Sequence, residues 1–196
     1  MHKKLNKTDF YYGFPVALMT TKNRITGKDH LTPISSTWTL NRSVVLGIGL
    51  DNQGFQNLAP GTDLTLNLPD FKLWRHIEKI APKTGNQQLP TYKKEAGYTF
   101  HPDKFALGKF TKESGITVQT VRIAECPIQI EALVTNIYPT SGFAIIECRI
   151  QAIFVEETLL KDETHLDTEK WQPLIYKFRS YTTTTESLGQ NFKYEE

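Results

Sequence analysis

The sequence predicts a mainly β protein, an antiparallel barrel with peripheral helices, and three observations carry that reading. Short β-branched and apolar runs are separated by turn-forming residues, only one stretch has convincing helical periodicity, and no glycine-rich fingerprint opens a helix as a doubly wound parallel sheet would require. Tight turns favour antiparallel pairing, because parallel neighbours need a crossover of about a dozen residues or more.

The first strand starts at Phe14 and runs through Pro15, Val16, Ala17, Leu18, Met19, Thr20 and Thr21, a β-branched and apolar series. The polar residues 22–29, with Gly27, form the turn to a second arm at 30–36. Residues 43–50 are almost continuously apolar, which predicts a central strand; Gly47 and Gly49 mark a bend or another group lying close. Asp51 or Asn52 is placed to cap a short helix over 53–58, ended by Pro60-Gly61, and a strand at 63–68 follows. Pro69 and Asp70 then open the amphipathic helix, in which Leu73, Trp74, Ile77, Ile80 and Ala81 recur at spacings of three and four before Pro82.

Residues 85–120 are rich in Gly, Pro, Lys and Thr, with a helical piece at 103–107, and read as an excursion of the kind that is often functional. Two long alternating strands, 127–138 and 143–156, meet at a turn over 139–142 and supply the barrel wall. A short strand at 174–178 precedes a polar and aromatic tail from 179 onward, suited to wrapping a partner subunit. The chain of 196 residues is expected to form one domain, 1–196, with 85–120 as an insertion.

Composition excludes several classes. Hydrophobic residues at 39% and charged residues at 22% describe a folded globular protein, and a net charge of +2 without a basic stripe argues against nucleic acid. The pairs Lys3-Lys4 and Lys93-Lys94 read as solvated loop charge. Cys126 and Cys148 lie in apolar runs as small buried hydrophobes, too few for a zinc site or a disulfide scaffold. No run approaches the ~20 apolar residues of a membrane span and none near the start resembles a signal peptide, so no membrane association and a cytoplasmic location are expected.

Residues Thr32, Pro33, Ile34, Ser35, Ser36, Thr37 and Trp38 concentrate small hydroxyls beside an aromatic ring between two strands. Such a loop offers hydroxyls and backbone N–H groups to an anion, and the helix start near Gln53 suits a phosphate in the same way. The alternative is a plain turn with Trp38 as a core anchor, and composition alone favours that plainer reading. The histidines 2, 30, 76, 101 and 165 are scattered and no serine sits in a strand-to-helix elbow, so no nucleophilic triad is assembled. His101 lies in the excursion beside Lys104 and reads as a loop histidine that also has the means to meet a ligand. His165 with Asp162, Glu163 and Asp167 fits no standard metal spacing, and no metal is expected.

Segment order resembles the flavin reductase-like FMN-binding split barrels, in the flavoredoxin-like branch. The resemblance is carried by Tyr12 to Thr21, Thr32 to Trp38, Gly47-Ile48-Gly49-Leu50, Gln56-Asn57-Leu58, Leu66-Asn67-Leu68-Pro69, Asp103-Lys104-Phe105, residues 123–127 with Glu131, and residues 171–176. It implies a six-stranded barrel that dimerises with itself and holds FMN near the interface, the ring edge open to a second substrate. Ser35, Ser36, Thr37 and Trp38 would line the flavin, Leu50, Asp51 and Asn52 would flank its ribityl chain or phosphate, and Asn57 and Asn67 would support that wall. Gly54 stands where many relatives carry Ser or Thr, so one phosphate hydroxyl is missing. The implied activity is hydride transfer from NAD(P)H to flavin, with no catalytic side chain assigned, because the cofactor does the chemistry. The alternatives are an FMN electron carrier reduced by a redox protein partner, and a split-barrel binding module without enzymatic activity. The excursion would either cover the flavin or pack a dimer.

Overall fold

A computed structural model describes residues 1–7, 10–167 and 169–189. The chain begins with β1 (Tyr12–Pro15) and the hairpin of β2 (Ala17–Lys22) and β3 (Asp29–Ile34), registered from Ala17↔Ile34 to Lys22↔Asp29. Asn23 closes the turn by accepting from the N–H groups of Ile25 and Thr26, and Gly27 takes φ 67°. Next come β4 (Thr37–Leu40) and β5 (Ser43–Gly49), joined through Asn41 and Arg42, both with positive φ, as a two-residue hairpin demands. The short helix α1 (Gln53–Gln56) is capped by Asn52, whose side chain accepts from the Gly54 N–H, and β6 (Asp63–Leu68) follows. Of the two expected cap residues, Asn52 is the one used.

Asp70 caps a single 3₁₀ turn, Phe71–Leu73, that leads into α2 (Trp74–Ile80). The amphipathic stretch is therefore 3₁₀ at its start, and Ile77 and Ile80 form its fully buried face, each such side chain contributing roughly 1.5–3 kcal/mol. The excursion is more structured than its composition suggests. Between β7 (Lys83–Thr84) and β10 (Arg122–Ile123), which flank it, it carries α3 (Thr91–Glu95), β8 (Thr99–Phe100), α4 (Lys104–Gly108) and β9 (Lys112–Glu113). The long hairpin β11 (Ile128–Pro139) and β12 (Phe143–Val155) comes next, then β13 (Ile175–Lys177) and β14 (Ser180–Thr182). The tail expected to wrap a partner thus doubles back on its own chain at β14, which pairs with β13, itself paired with β1; residues 190–196 of that tail lie outside the described residues.

The main sheet is antiparallel, in the order β3-β2-β6-β11-β12-β5-β4. It has seven strands where six were implied. β5, expected at the centre, lies one strand from the edge, because β4 pairs with β5 and, among the described residues, no further strand flanks β4. The two edges, β3 and β4, share no ladder, yet only Ser35 and Ser36 separate them in the chain. Two residues span at most about 10 Å between their flanking neighbours. The sheet must therefore curl until its edges nearly meet, giving a barrel split along one seam.

Alternation fills the barrel. Ala17 and Met19 from β2, Val44, Leu46 and Ile48 from β5, Leu64 and Leu66 from β6, and Ala144, Ile146 and Cys148 from β12 share one core. A second core lies outside β2, where Leu18 and Leu31 meet Ile77 and Ile80 of α2, Phe105 of α4, and Ile123 and Leu174. Glu131, in β11 but 0% exposed, faces the excursion: its carboxylate accepts from the Ile116 and Thr117 N–H groups at 2.8 and 2.6 Å and from the Thr117 hydroxyl at 2.6 Å. Arg122 Nε stands 3.8 Å away. A buried carboxylate thus pins the excursion to the barrel wall. Among the described residues no helix is long and apolar enough to cross a membrane.

Candidate functional site

The candidate site lies at the seam. Ser35 and Ser36 link its edges, and the Gly47 N–H donates to the Ser36 carbonyl at 2.8 Å, a close approach that the missing side chain of Gly47 permits. Thr37 donates its hydroxyl to the Val45 carbonyl at 3.0 Å, which fixes the start of β4. Trp38, opposite Val45, is 57% exposed, so the core-anchor alternative does not hold. Just past this C-terminal end of β5, the Leu50 N–H donates to the Gly142 carbonyl at 3.2 Å and the Asn52 N–H to the Gly49 carbonyl at 3.0 Å. Segments 35–38 and 50–52 therefore meet at the same end of β5, beside Gly47 and Gly49.

Asn57, just past α1, adjoins this wall, whereas Asn67 lies in β6 and its bonds run to β2 and to Ile123 rather than to either segment. Asn57 accepts from the Gln53 side chain and donates to the Thr21 hydroxyl, at 3.1 and 2.9 Å. Asn67 donates to the Leu18 carbonyl at 2.9 Å and accepts from the Ile123 N–H at 2.8 Å. Both are buried, Asn67 completely, and their amides are engaged within the protein.

Sequence reasoning missed the part that the excursion adds. Lys93, read as solvated charge, has its side chain largely covered, with Nζ 2.9 Å from Asp51 Oδ1 and 3.2 Å from the Asp51 carbonyl oxygen. Tyr92 donates its hydroxyl to the other Asp51 oxygen. Burial works to raise the Asp51 carboxyl, but the bonds from Tyr92 and Lys93 and the Lys93 charge outweigh it and set its pKa below the ordinary value. The same contact, with burial, pushes the Tyr92 phenol up to about 12. Helix α3 thus sits on the 50–52 segment while burying none of its own residues.

Beneath it lies a polar cluster with unmet capacity. His30 Nε2 and Thr32 Oγ1 are buried without a hydrogen-bond partner among the described residues. A Cβ at Gly85 would sit 2.8 Å from His30 Nδ1 and 3.4 Å from Gln53 Cγ, so Gly85 is where β3 and the start of α1 come together. Burial, and then the Lys104 charge, lower the His30 imidazole to about 3. A Cβ at Gly54 would lie 2.7 Å from Thr32 Oγ1 and 2.8 Å from Met19 Cε; glycine there follows from this packing. His101, by contrast, accepts from the Asp103 N–H and turns the chain into α4. Asp162 and His165 bond each other in an exposed turn, and the described residues hold no group able to bind a metal.

The sequence model described as "Flavin reductase like domain" matches residues 10–185. The chain belongs to the flavin reductase-like family. Among members and neighbours, an uncharacterized protein of Bacillus subtilis, YdfE, is 37% identical over 196 residues, covering 98% of this chain and 94% of its own. The flavoredoxin of Desulfovibrio vulgaris superposes with a TM-score of 0.81 at 20% identity, covering 99% of each chain. Nitrilotriacetate monooxygenase component B of Bacillus cereus gives 0.73 at 15% identity, over 90% of this chain and 87% of its own. These superpositions show the split-barrel flavin reductase fold. Family membership implies a flavin, and the seam carries small hydroxyls beside an exposed aromatic ring.

Proposed function

We propose that this flavin reductase-like protein is an FMN-binding oxidoreductase that receives hydride from NAD(P)H. The observation that carries the reading is the meeting of segments 35–38 and 50–52 at one end of β5, on the open seam. Ser35, Ser36 and Thr37 would hold the flavin through hydroxyl and backbone groups, Trp38 would lie along it, and Leu50, Asp51 and Asn52 would flank its phosphate-bearing chain. Asn57 would keep that wall rigid. When bound, the flavin supplies the redox chemistry, taking up hydride from the nicotinamide, while the residues around it orient both rings and exclude water.

The working unit is a homodimer. Its support is the outer face of β4, β5, β11 and β12, where Tyr138, Phe143 and Ile145 are exposed beside Gly47 and Gly49 and Trp38 and Leu40 are exposed further along, with Glu147 and Arg149 on the same face. An apolar sheet face of that kind is a common site of self-association.

The test is an absorbance titration with FMN, then anaerobic addition of NADH and of NADPH, with the mass measured in solution. Flavin bands that bleach with either nucleotide in a dimeric protein are expected. Bound flavin that resists both nucleotides, yet is reduced by dithionite, would transfer the reading to an electron carrier fed by a redox protein. Failure to bind flavin would overturn it.

A further inference from the structure

Residues 86–98 of the excursion leave and rejoin the protein through one narrow neck. There β7 and β8 pair in parallel, Lys83 opposite Thr99 and Thr84 opposite Phe100. The Thr99 N–H donates to the Pro82 carbonyl at 3.0 Å, the His101 N–H to the Thr84 carbonyl at 2.9 Å, and the Lys83 ammonium to the Thr99 hydroxyl at 2.8 Å. Gly85 wedges the neck against β3, since a Cβ there would lie 2.8 Å from His30 Nδ1. The base is therefore fixed.

The span beyond the neck is held differently. None of residues 86–98 is buried, so no side chain sunk into a core docks it. Its own bonds close α3: the Lys94 N–H donates to the Pro90 carbonyl, the Ala96 N–H to the Tyr92 carbonyl and the Tyr98 N–H to the Lys93 carbonyl. A helix of five residues has little stability of its own. Among the described residues, the hydrogen bonds and ion pair that cross from 86–98 to the barrel all end on Asp51. Tyr92 donates its hydroxyl to one carboxylate oxygen, and Lys93 Nζ lies 2.9 Å from the other and 3.2 Å from the Asp51 carbonyl oxygen. The barrel side of this contact is fixed, because Leu50 and Asn52, on either side of Asp51, bond through their N–H groups to the Gly142 and Gly49 carbonyls. A stiff neck, a span docked only by polar tips and one anchored carboxylate describe a cover with a single latch.

We propose that residues 86–98 form a lid over the 50–52 segment, latched shut on Asp51 by Tyr92 and Lys93, and that release of the latch admits a ligand to that segment. The lid stands on its own contacts. The identity of the ligand, the phosphate-bearing chain of the flavin, rests on the reading above.

Amide exchange followed by NMR on the full chain tests the latch. In D51N and in K93M the amides of Lys94, Ala96 and Tyr98 should exchange about tenfold faster, the equivalent of one charge-assisted bond, while those of Thr99 and His101 stay as protected as in the wild type. The double variant should exchange no faster than the faster single one, because both changes remove the same contact. Raising NaCl from about 0.05 to about 1 M should speed the same three amides in the wild type and leave them unchanged in the variants. Gating is read from stopped-flow association of FMN. D51N and K93M remove opposite charges, so a direct effect on a phosphate would speed one and slow the other, whereas an unlatched lid speeds both. Y92F removes a latch bond without changing charge and should speed association as well. Wild-type protection of the three amides in both variants, or loss of protection at the neck together with α3, overturns the lid. Association rates that stay unchanged, or that split by the sign of the charge removed, overturn the gate. Amides that respond as expected in a protein that binds no flavin would keep the lid and sink the flavin reading.

Discussion

Replacing Glu131 by Gln tests how firmly the excursion is held. The side chain keeps its shape and loses its charge, and it sits at 0% exposure with two N–H donors and one hydroxyl converging on it. An amide has one acceptor oxygen. Its NH₂ group must therefore face the N–H of either Ile116 or Thr117, while the Thr117 hydroxyl can turn to accept. One charge-assisted bond is lost, at about 1.5–3 kcal/mol, and one part-buried N–H loses its acceptor, at about 1 kcal/mol, so the total is roughly 3–4 kcal/mol. With a urea slope of about 2 kcal/mol/M, the midpoint should fall by about 2 M, measured at a fixed protomer concentration. Hydrogen exchange adds a local readout, since the amides of residues 116 and 117 should lose protection. A midpoint shift below about 0.5 M, or unchanged exchange at those amides, would refute the view of Glu131 as the pin of the excursion.

Asn67→Ala strands the Leu18 carbonyl and the Ile123 N–H in the core and should cost about 2–4 kcal/mol in denaturant titration. Gly54→Ser places a Cβ 2.7 Å from Thr32 Oγ1 and should cost about 1–3 kcal/mol, most of it recovered when Thr32→Ala is added; a double mutant no better than G54S would contradict that packing. His30 governs part of the acid limb. Unfolded it takes a proton near 6.5, folded only near 3, so between these values the unfolded chain binds more protons and stability falls as pH falls. His30→Gln should flatten the dependence of Tm on pH across that window, and a slope equal to the wild type would exclude the assignment.

The sequence was readable where local chemistry alone decides. The strand at 63–68 matches β6 because alternation and Pro69 bound it, and the hairpin of β2 and β3 matches because Asn23 and Gly27 make the turn. The position of β5 was not readable. Its outward residues are small or apolar because they belong to an exposed apolar face, so a near-edge strand has the composition of a central one. The site divides the same way. Ser35 to Trp38 stood out as a hydroxyl cluster, and whether they bind a ligand is for the titration to decide. Lys93 was hidden, because Asp51, which takes it out of solvent, lies 42 residues back in the chain. Lys104 was noted only beside His101 and within a motif, since nothing in a sequence says that a lysine at the start of a short helix will be buried, here with its ammonium on the Lys83 carbonyl.

The seam between β3 and β4 has a mechanical consequence. A closed barrel can admit a flat molecule between its staves only by breaking ladder hydrogen bonds. This one has no rungs to break along that line, because its first and last staves are joined by two residues and by no cross-strand pairing. Prising it open bends the backbone at Ser35 and Ser36 and leaves the ladders of β6, β11 and β12 whole. Amides on the outer edges of β3 and β4 should exchange quickly while those of β11 stay protected, so the barrel behaves as a clip, hinged at the two serines with the long hairpin as its spring.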